Sequence, residues 1–317
     1  MSNRVFLNEQ QNGTVQYMEK KKRFYLILII GIVCLFSLQS CSSYSFGVIA
    51  DCQYCKEAGK GVRKYAKSDT KLAECVSHLN TLDLAYTIHL GDFIDRDWES
   101  FDVVTPIYNR LNMPHYHVLG NHDFSVVDEK KSAVIKKMEM PNDYYDFEVK
   151  GWRFIVLNGN DISFHAYPKD SENYKLAVEY YTQNKLDNPK WNGALGVTQL
   201  NWLKAVLEKA TKNEEQVVLY CHFPVYPENR HNLWNAKEVI DIIEDYPCVK
   251  AYINGHNHEG NYGQKNGVHY LTMKGMVDTE ESAYGVIKVN KEYLIIEGYG
   301  RELNRTLQLR KSASILK

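Results

Sequence analysis

The sequence predicts an α/β protein, read as one domain with two sheets and helices packed outside them. Three observations predict it. Short apolar runs alternate with stretches of helical spacing from Ser45 onward, a two-residue turn separates two alternating segments, and a series of strand-like runs closes the chain. In order, "SFGVIA" reads as a buried strand, "KLAECVSHLNTL" as a helix, "LAYTIHL" as a strand, "FDVVTPIYNRL" as a helix interrupted or entered at Pro106, and "HYHVLG" as a strand. In "YDFEVKGWRFIVLNG", Lys150 and Gly151 make the hairpin connection. From Asn158 to Gly196 the chain is rich in Tyr, Asn, Asp and Lys, with a helix around "YKLAVEYYTQNKL"; this excursion reads as a lid or a substrate-shaping insertion. Thr198 reads as the N-cap of "QLNWLKAVLEKA", whose Leu200, Leu203 and Leu207 share a face. Strand "QVVLYC", helix "AKEVIDIIEDY" and strand "VKAYIN" follow. The strands "VHYLTMKG", "AYGVIKVN" and "YLIIEGYG" end the pattern, with Asn290 and Lys291 at a turn.

Charge excludes some partners. With 38 basic against 39 acidic residues, the chain has no overall field to recruit nucleic acid or anionic lipid, so function must come from a local site. Residues 1–41 are of a different kind from residues 44–310, which form the expected domain. After Met18, "EKKKR" precedes the apolar run "FYLILIIGIVCLFSLQS" and Cys41, the layout of a secretory signal. Met1 to Tyr17 carry no export logic, and Met18 is an alternative start. The stretch "LQSC" resembles the lipobox of bacterial lipoproteins, which implies a lipidated Cys41 and a bacterial cell-envelope location; an uncleaved N-terminal anchor is the alternative. Cys52, Cys55, Cys75, Cys221 and Cys248 remain, an odd number without the spacing of a disulfide framework. "CQYC" has redox spacing but lacks a redox context.

The strand ends carry the chemistry. After the first buried strand come Asp51 and Gln53. After the second comes "GDFIDR", with Asp92, Asp95 and Arg96; after the third, "GNHD", with Asn121, His122 and Asp123. His222 follows "VVLYC", and "GHNHEG", with His256 and His258, follows "AYIN". Singly each is an ordinary turn, a core histidine or an exposed loop. Jointly, five strand ends deliver metal-competent side chains, and in α/β sheets such ends converge. Carboxylate, amide oxygen and imidazole without thiolate favour manganese, iron or zinc. They exceed the needs of one ion, so Asp92 is assigned as a bridge between two divalent ions, with Asp51, Gln53 and His258 completing one shell and Asn121, His222 and His256 the other. A strand-like segment would set His256 and His258, two residues apart, on the same side, one for each ion.

These blocks, in this order, resemble the calcineurin-like metallophosphoesterase superfamily over nearly all of Ser45 to Arg301. Gln53 stands where most of the superfamily has histidine. "FGVIADCQYC" is similar to the opening of the manganese-dependent ADP-ribose/CDP-alcohol diphosphatases, as are "RKYAKS", "LGVTQLNWL", "HFPVYP", "NLWNAKEV" and "GHNHEGNYG". The resemblance implies a four-layer αββα sandwich of two mixed sheets flanked by helices. It also implies hydrolysis of the diphosphate of ADP-ribose, CDP-choline or CDP-glycerol to a nucleoside monophosphate and a phosphorylated alcohol or sugar. The neutral amide of Gln53 suits manganese or magnesium better than zinc.

The expected chemistry is in-line attack on phosphorus by a water activated between the two ions. His122, held by Asp95, protonates the leaving oxygen, or is structural; Arg96 anchors its loop. Arg63 meets the substrate's phosphate or nucleotide end, or is a solvated surface charge. Tyr65 and the "FHAY" segment, Phe164 to Tyr167, stack on a base or serve packing. The same metals would serve a phosphomonoesterase or a cyclic-nucleotide phosphodiesterase, and a non-catalytic nucleotide-binding lipoprotein would keep the fold without the chemistry.

Overall fold

The computed structural model describes residues 43–310. The leader, its apolar run and Cys41 lie outside the described residues. Strand β1 (Tyr44–Ile49) leads to the helix Ser68–Leu79, β2 (Thr87–His89), the helix Trp98–Tyr108 and β3 (His115–His117). The hairpin β4 (Tyr145–Val149) and β5 (Trp152–Val156) follows. A short pair, β6 (Ile162–Ser163) and β7 (Gly193–Ala194), then brackets the helix Glu172–Gln183. The helix Val197–Lys212, β8 (Gln216–Tyr220), the helix Ala236–Glu244 and β9 (Val249–Asn254) continue the alternation. Strands β10 (Asn261–Lys265), β11 (Val268–Thr272), β12 (Ala283–Val289), β13 (Tyr293–Gly300) and β14 (Arg305–Gln308) end it.

Two mixed six-stranded sheets result, ordered β14-β13-β12-β1-β2-β3 and β10-β11-β9-β8-β5-β4. The parallel strands β1, β2 and β3 lie at one edge of the first sheet, and β5, β8, β9 and β11 run parallel inside the second. Both faces of these strands are covered, which explains their unbroken apolar runs. Between the sheets Phe46 stacks on Tyr86 at 4.7 Å, and both rings meet Phe154 edge to face at 5.7 and 5.1 Å. The Tyr86 and Tyr220 hydroxyls hydrogen-bond to each other at 2.7 Å within this seam. Outside the first sheet, the helix Ser68–Leu79 buries Leu72, Cys75, Val76 and Leu79. Outside the second, Leu203, Leu207 and Ala210 join Val239 and Ile243 over Ile155, Val217 and Leu219. The order is helix, sheet, sheet, helix, as the sequence implies.

Several local expectations change. The helix Trp98–Tyr108 starts earlier than expected and runs through Pro106, which sits in its last turn. The N-cap of Val197–Lys212 is Gly196, so Thr198 lies within the helix, and Asp161 Oδ2 accepts from the Gly196 N–H at 2.9 Å. Lys150 and Gly151 form the hairpin turn, both at positive φ (50° and 79°), as a two-residue connection requires. The five cysteines among the described residues are free and buried. Burial pushes the Cys52 and Cys55 thiols up, which removes the nucleophilic thiolate a redox pair needs.

Candidate metal centre

The carboxyl ends of β1, β2 and β3 in one sheet, and of β8 and β9 in the other, open onto one buried site. Asp51, Gln53, Asp92, Asn121, His222, His256 and His258 are all buried there. The chain bends sharply to present them: Asp51, Gln53, Asp92 and His256 have φ of 51°, 45°, 55° and 69°, a left-handed conformation costly for residues with a side chain. Two glycines let the loops close on these groups. A Cβ on Gly120 would lie 2.2 Å from Asp92 Oδ1, and one on Gly255 would lie 2.6 Å from Asp51 Oδ2.

Asp92 occupies the middle. Its Oδ2 accepts from Gln53 Nε2 at 2.9 Å and lies 3.2 Å from His222 Nε2, while its Oδ1 accepts the His122 backbone N–H at 2.8 Å. Ligand atoms of Asp92, His222 and His256 all lie within 4.8 Å of one another. On the other side, His258 Nε2 is 3.4 Å from Asp51 Oδ1, whose carboxylate also accepts the His256 backbone N–H.

Neighbouring groups fix each imidazole. His222 Nδ1 donates to Leu90 O at 2.9 Å, and His256 Nε2 donates to Asn192 Oδ1 at 3.0 Å. The nitrogens left over, His222 Nε2 and His256 Nδ1, face each other at 2.9 Å. Two lone pairs that close repel unless a cation or a proton lies between them. His258 Nδ1 donates to Asp278 Oδ1 at 3.0 Å, which turns Nε2 toward Asp51. The expectation that a strand-like segment aligns His256 and His258 is corrected: β9 ends at Asn254, and the left-handed turn at His256 sends the two rings to different partners.

Charge is concentrated despite burial. Burial opposes ionisation of Asp92, yet His222 and His122 hold its carboxyl well below the usual range. Against the same burial, Asp92 pushes His222 up to about 9, and Asp51 with Asp278 pushes His258 up to about 9. His256, buried beside His222, falls well below the ordinary imidazole value. Among the described residues, the buried oxygens Gln53 Oε1 and Asn121 Oδ1 have no hydrogen-bond partner. Buried polar atoms are nearly always paired, so two orphaned oxygens on loops that also carry the carboxylates and imidazoles fit a hard divalent cation.

His122 and Asp95 also come together. His122 Nδ1 lies 2.9 Å from Asp95 O and 3.3 Å from Asp95 Oδ1. Arg96 donates to Asp95 Oδ2 at 2.8 Å and pairs with Glu57 at 3.0 Å, anchoring the loop as expected. The Asp123 carboxylate accepts backbone N–H groups from Asp92, Phe93 and Gly120 at 3.1, 2.8 and 2.8 Å, tying the second and third loops together. Arg63 is half-buried and makes no side-chain hydrogen bond or ion pair among the described residues, while its charge acts on His258 and Asp278. Tyr65 takes the packing alternative. Its ring is 3% exposed and packs with Cys55 and Val277, so it has almost no face to offer a base.

Sequence reasoning missed Asn192 and Asp278. Asp278 follows the strand-like "VHYLTMKG" as the other site residues follow theirs, a signal that was present. Asn192 sits in the Tyr-rich excursion within "KWNG", where nothing local distinguishes it from a turn residue.

The family model described as calcineurin-like phosphoesterase matches residues 44–260. A protein of Bos taurus named manganese-dependent ADP-ribose/CDP-alcohol diphosphatase is 28% identical over 319 residues, covering 84% of this chain and 95% of that one. A protein of the same name from Oryza sativa subsp. japonica is 31% identical over 291 residues, covering 80% and 91%. The crystal structure of a dimetal phosphatase from Danio rerio shares the fold, with a TM-score of 0.76 at 23% identity over 84% of this chain and 99% of that one. These relatives correct the expected location. They are animal and plant proteins, which gives no support to a bacterial cell-envelope lipoprotein or to membrane anchoring. Among the described residues no helix is long and apolar enough to cross a membrane. Family model, fold and buried ligand cluster agree: the chain belongs to the calcineurin-like phosphoesterase family and is a metal-dependent hydrolase.

Proposed function

We propose that the chain hydrolyses the diphosphate of ADP-ribose and CDP-alcohols, releasing a nucleoside monophosphate and a phosphorylated alcohol or sugar. The observation that carries the reading is the Asp92-centred cluster, in which Gln53 replaces a histidine and leaves a neutral oxygen without a partner. Its support from outside is the name shared by relatives that match most of the chain.

In this reading the centre holds two divalent ions, manganese first, with magnesium, iron or zinc as alternatives. Asp92 would be shared; Asp51, Gln53 and His258 would hold one ion, and Asn121, His222 and His256 the other. The ions would supply Lewis acidity toward the phosphoryl oxygens and toward water. The chain's own residues do the rest. Asn192 and Asp278 orient His256 and His258 through the nitrogens that face away from the cluster. His122, whose Nδ1 is occupied by Asp95, keeps Nε2 to donate a proton or hydrogen bond to the leaving oxygen. Arg63 offers an unpaired guanidinium to the substrate phosphate. Residues 44–310 form the catalytic domain.

The test is manganese-dependent release of AMP from ADP-ribose and CMP from CDP-choline, beside turnover of a simple phosphomonoester and a cyclic nucleotide. The proposal expects the two diphosphates to be preferred in kcat/KM. A preference for the monoester or the cyclic nucleotide would overturn it.

A further inference from the structure

We infer that an aromatic cavity beside the metal centre receives the nucleobase of the substrate. The inference deepens the diphosphatase reading and rests on it. The cavity, of about 390 Å³, is lined chiefly by Phe164, His165, Tyr174, Tyr181, Lys190 and Trp191. All six are partly or fully exposed, so the rings face an opening and are not interior packing.

The Tyr-rich excursion builds the walls. Phe164 meets Tyr174, Tyr181 and Trp234 edge to face at 5.5, 5.6 and 5.5 Å, an arrangement that holds the rings lining the cavity against one another. Lys190 Nζ stands 5.5 Å from the Phe164 ring and 5.6 Å from the Tyr181 ring. The cavity therefore offers aromatic faces and one cationic donor.

Trp191 and Asn192 join it to the metal centre. Trp191 lines the cavity and stands 4.9 Å from the His256 ring, and the next residue, Asn192, holds His256 by its Nε2. His165 also lines the cavity, with its Nε2 3.2 Å from Lys190 O. A diphosphate held at the metal ligands puts its ribose across Trp191, and the base beyond the ribose enters the cavity.

The chemistry selects the base over the substrate's other end. A choline headgroup would have to share these rings with the Lys190 ammonium, which repels it, and a sugar presents C–H groups and no π-face. Adenine and cytosine both have π-faces and ring nitrogens that accept from an ammonium, so one site serves both nucleotide classes.

The experiment compares AMP with ribose 5-phosphate, which keeps the sugar and phosphate and lacks the base. Both are titrated by calorimetry into the manganese-loaded full-length protein. The native protein should bind AMP at least about tenfold more tightly, the usual worth of a stacked base. In Phe164→Leu, which retains bulk without a π-face, and in Lys190→Met the ratio should fall to about threefold or less. Equal binding of the two ligands by the native protein would overturn the inference, as would a ratio that survives in both variants. ADP-ribose hydrolysis is measured on the same preparation. Its absence alongside a clear AMP preference would strike the diphosphatase reading and leave the base site standing.

Discussion

The seam between the sheets and the cluster at their carboxyl ends are built from neighbouring residues of the same strands, yet they obey opposite rules. In the seam, Phe46, Tyr86, Phe154 and Tyr220 are in stacked or edge-to-face contact, and the two buried hydroxyls satisfy each other. A few residues farther on, Asp51, Gln53, Asp92 and His256 adopt left-handed backbone, oxygens lack partners, and imidazole nitrogens crowd together. Packing explains the first region completely. The second makes sense only if something charged is meant to occupy it, because unpaired buried polar atoms and unusual torsions persist where function requires them.

The difference can be broken from either side. The largest effect is expected from Asp92→Asn, which removes the shared carboxylate: manganese-dependent hydrolysis of ADP-ribose should fall on the order of a thousandfold or more. Circular dichroism of this variant should remain native, since no seam contact is lost. Phe154→Ala is its counterpart in the seam. It should cost about 3–5 kcal/mol in urea denaturation, while activity per folded molecule changes little.

Smaller changes sharpen the comparison. Asn192→Ala and Asp278→Asn leave every proposed ligand in place and should each weaken manganese binding about 10- to 100-fold by equilibrium titration. If both bind manganese as the native protein does, the orientation of His256 and His258 does not depend on these partners.

A pair of histidines outside the cluster tests the packing side. Burial depresses His89 to about 3 and drives His117 well below the ordinary imidazole value, and neither has a partner for Nδ1 among the described residues. Both are neutral when folded, whereas the unfolded chain takes up protons below about pH 6.5, so this stability is complete above that pH and is lost as pH falls. In chelator, the native protein should lose about 1 kcal/mol more than His117→Phe between pH 6.5 and 5.5. Equal losses in urea denaturation would show that His117 is not held neutral.

Hydrophobic periodicity made the fold legible where one pattern holds over a whole element. The runs at β1, β8 and β9 and the helices over them read correctly because burial alone determines them. Boundaries set by tertiary partners did not read: Gly196 begins its helix next to Asp161, and Trp98–Tyr108 tolerates Pro106 in its last turn. The short β14 has no distinctive pattern and was not anticipated.

The site was legible because metal chemistry restricts residue types and strand ends restrict positions, so Asp51, Gln53, Asp92, Asn121, His222, His256 and His258 could be collected before any coordinates. What holds those ligands was harder to see. Asn192 reaches His256 from 64 positions earlier in the chain, and a bond of that kind leaves no local trace. Tyr65, offered for base stacking or packing, takes the second: the fold buries it against Cys55 and Val277.

The central claim is that loops from five strands in two sheets hold a pair of divalent cations across Asp92. Anomalous diffraction from manganese-soaked crystals of the full-length protein tests it most directly. Two manganese peaks are expected, one among Asp51, Gln53 and His258 and one among Asn121, His222 and His256, with Asp92 between them. A single peak, or none near Asp92, would contradict it.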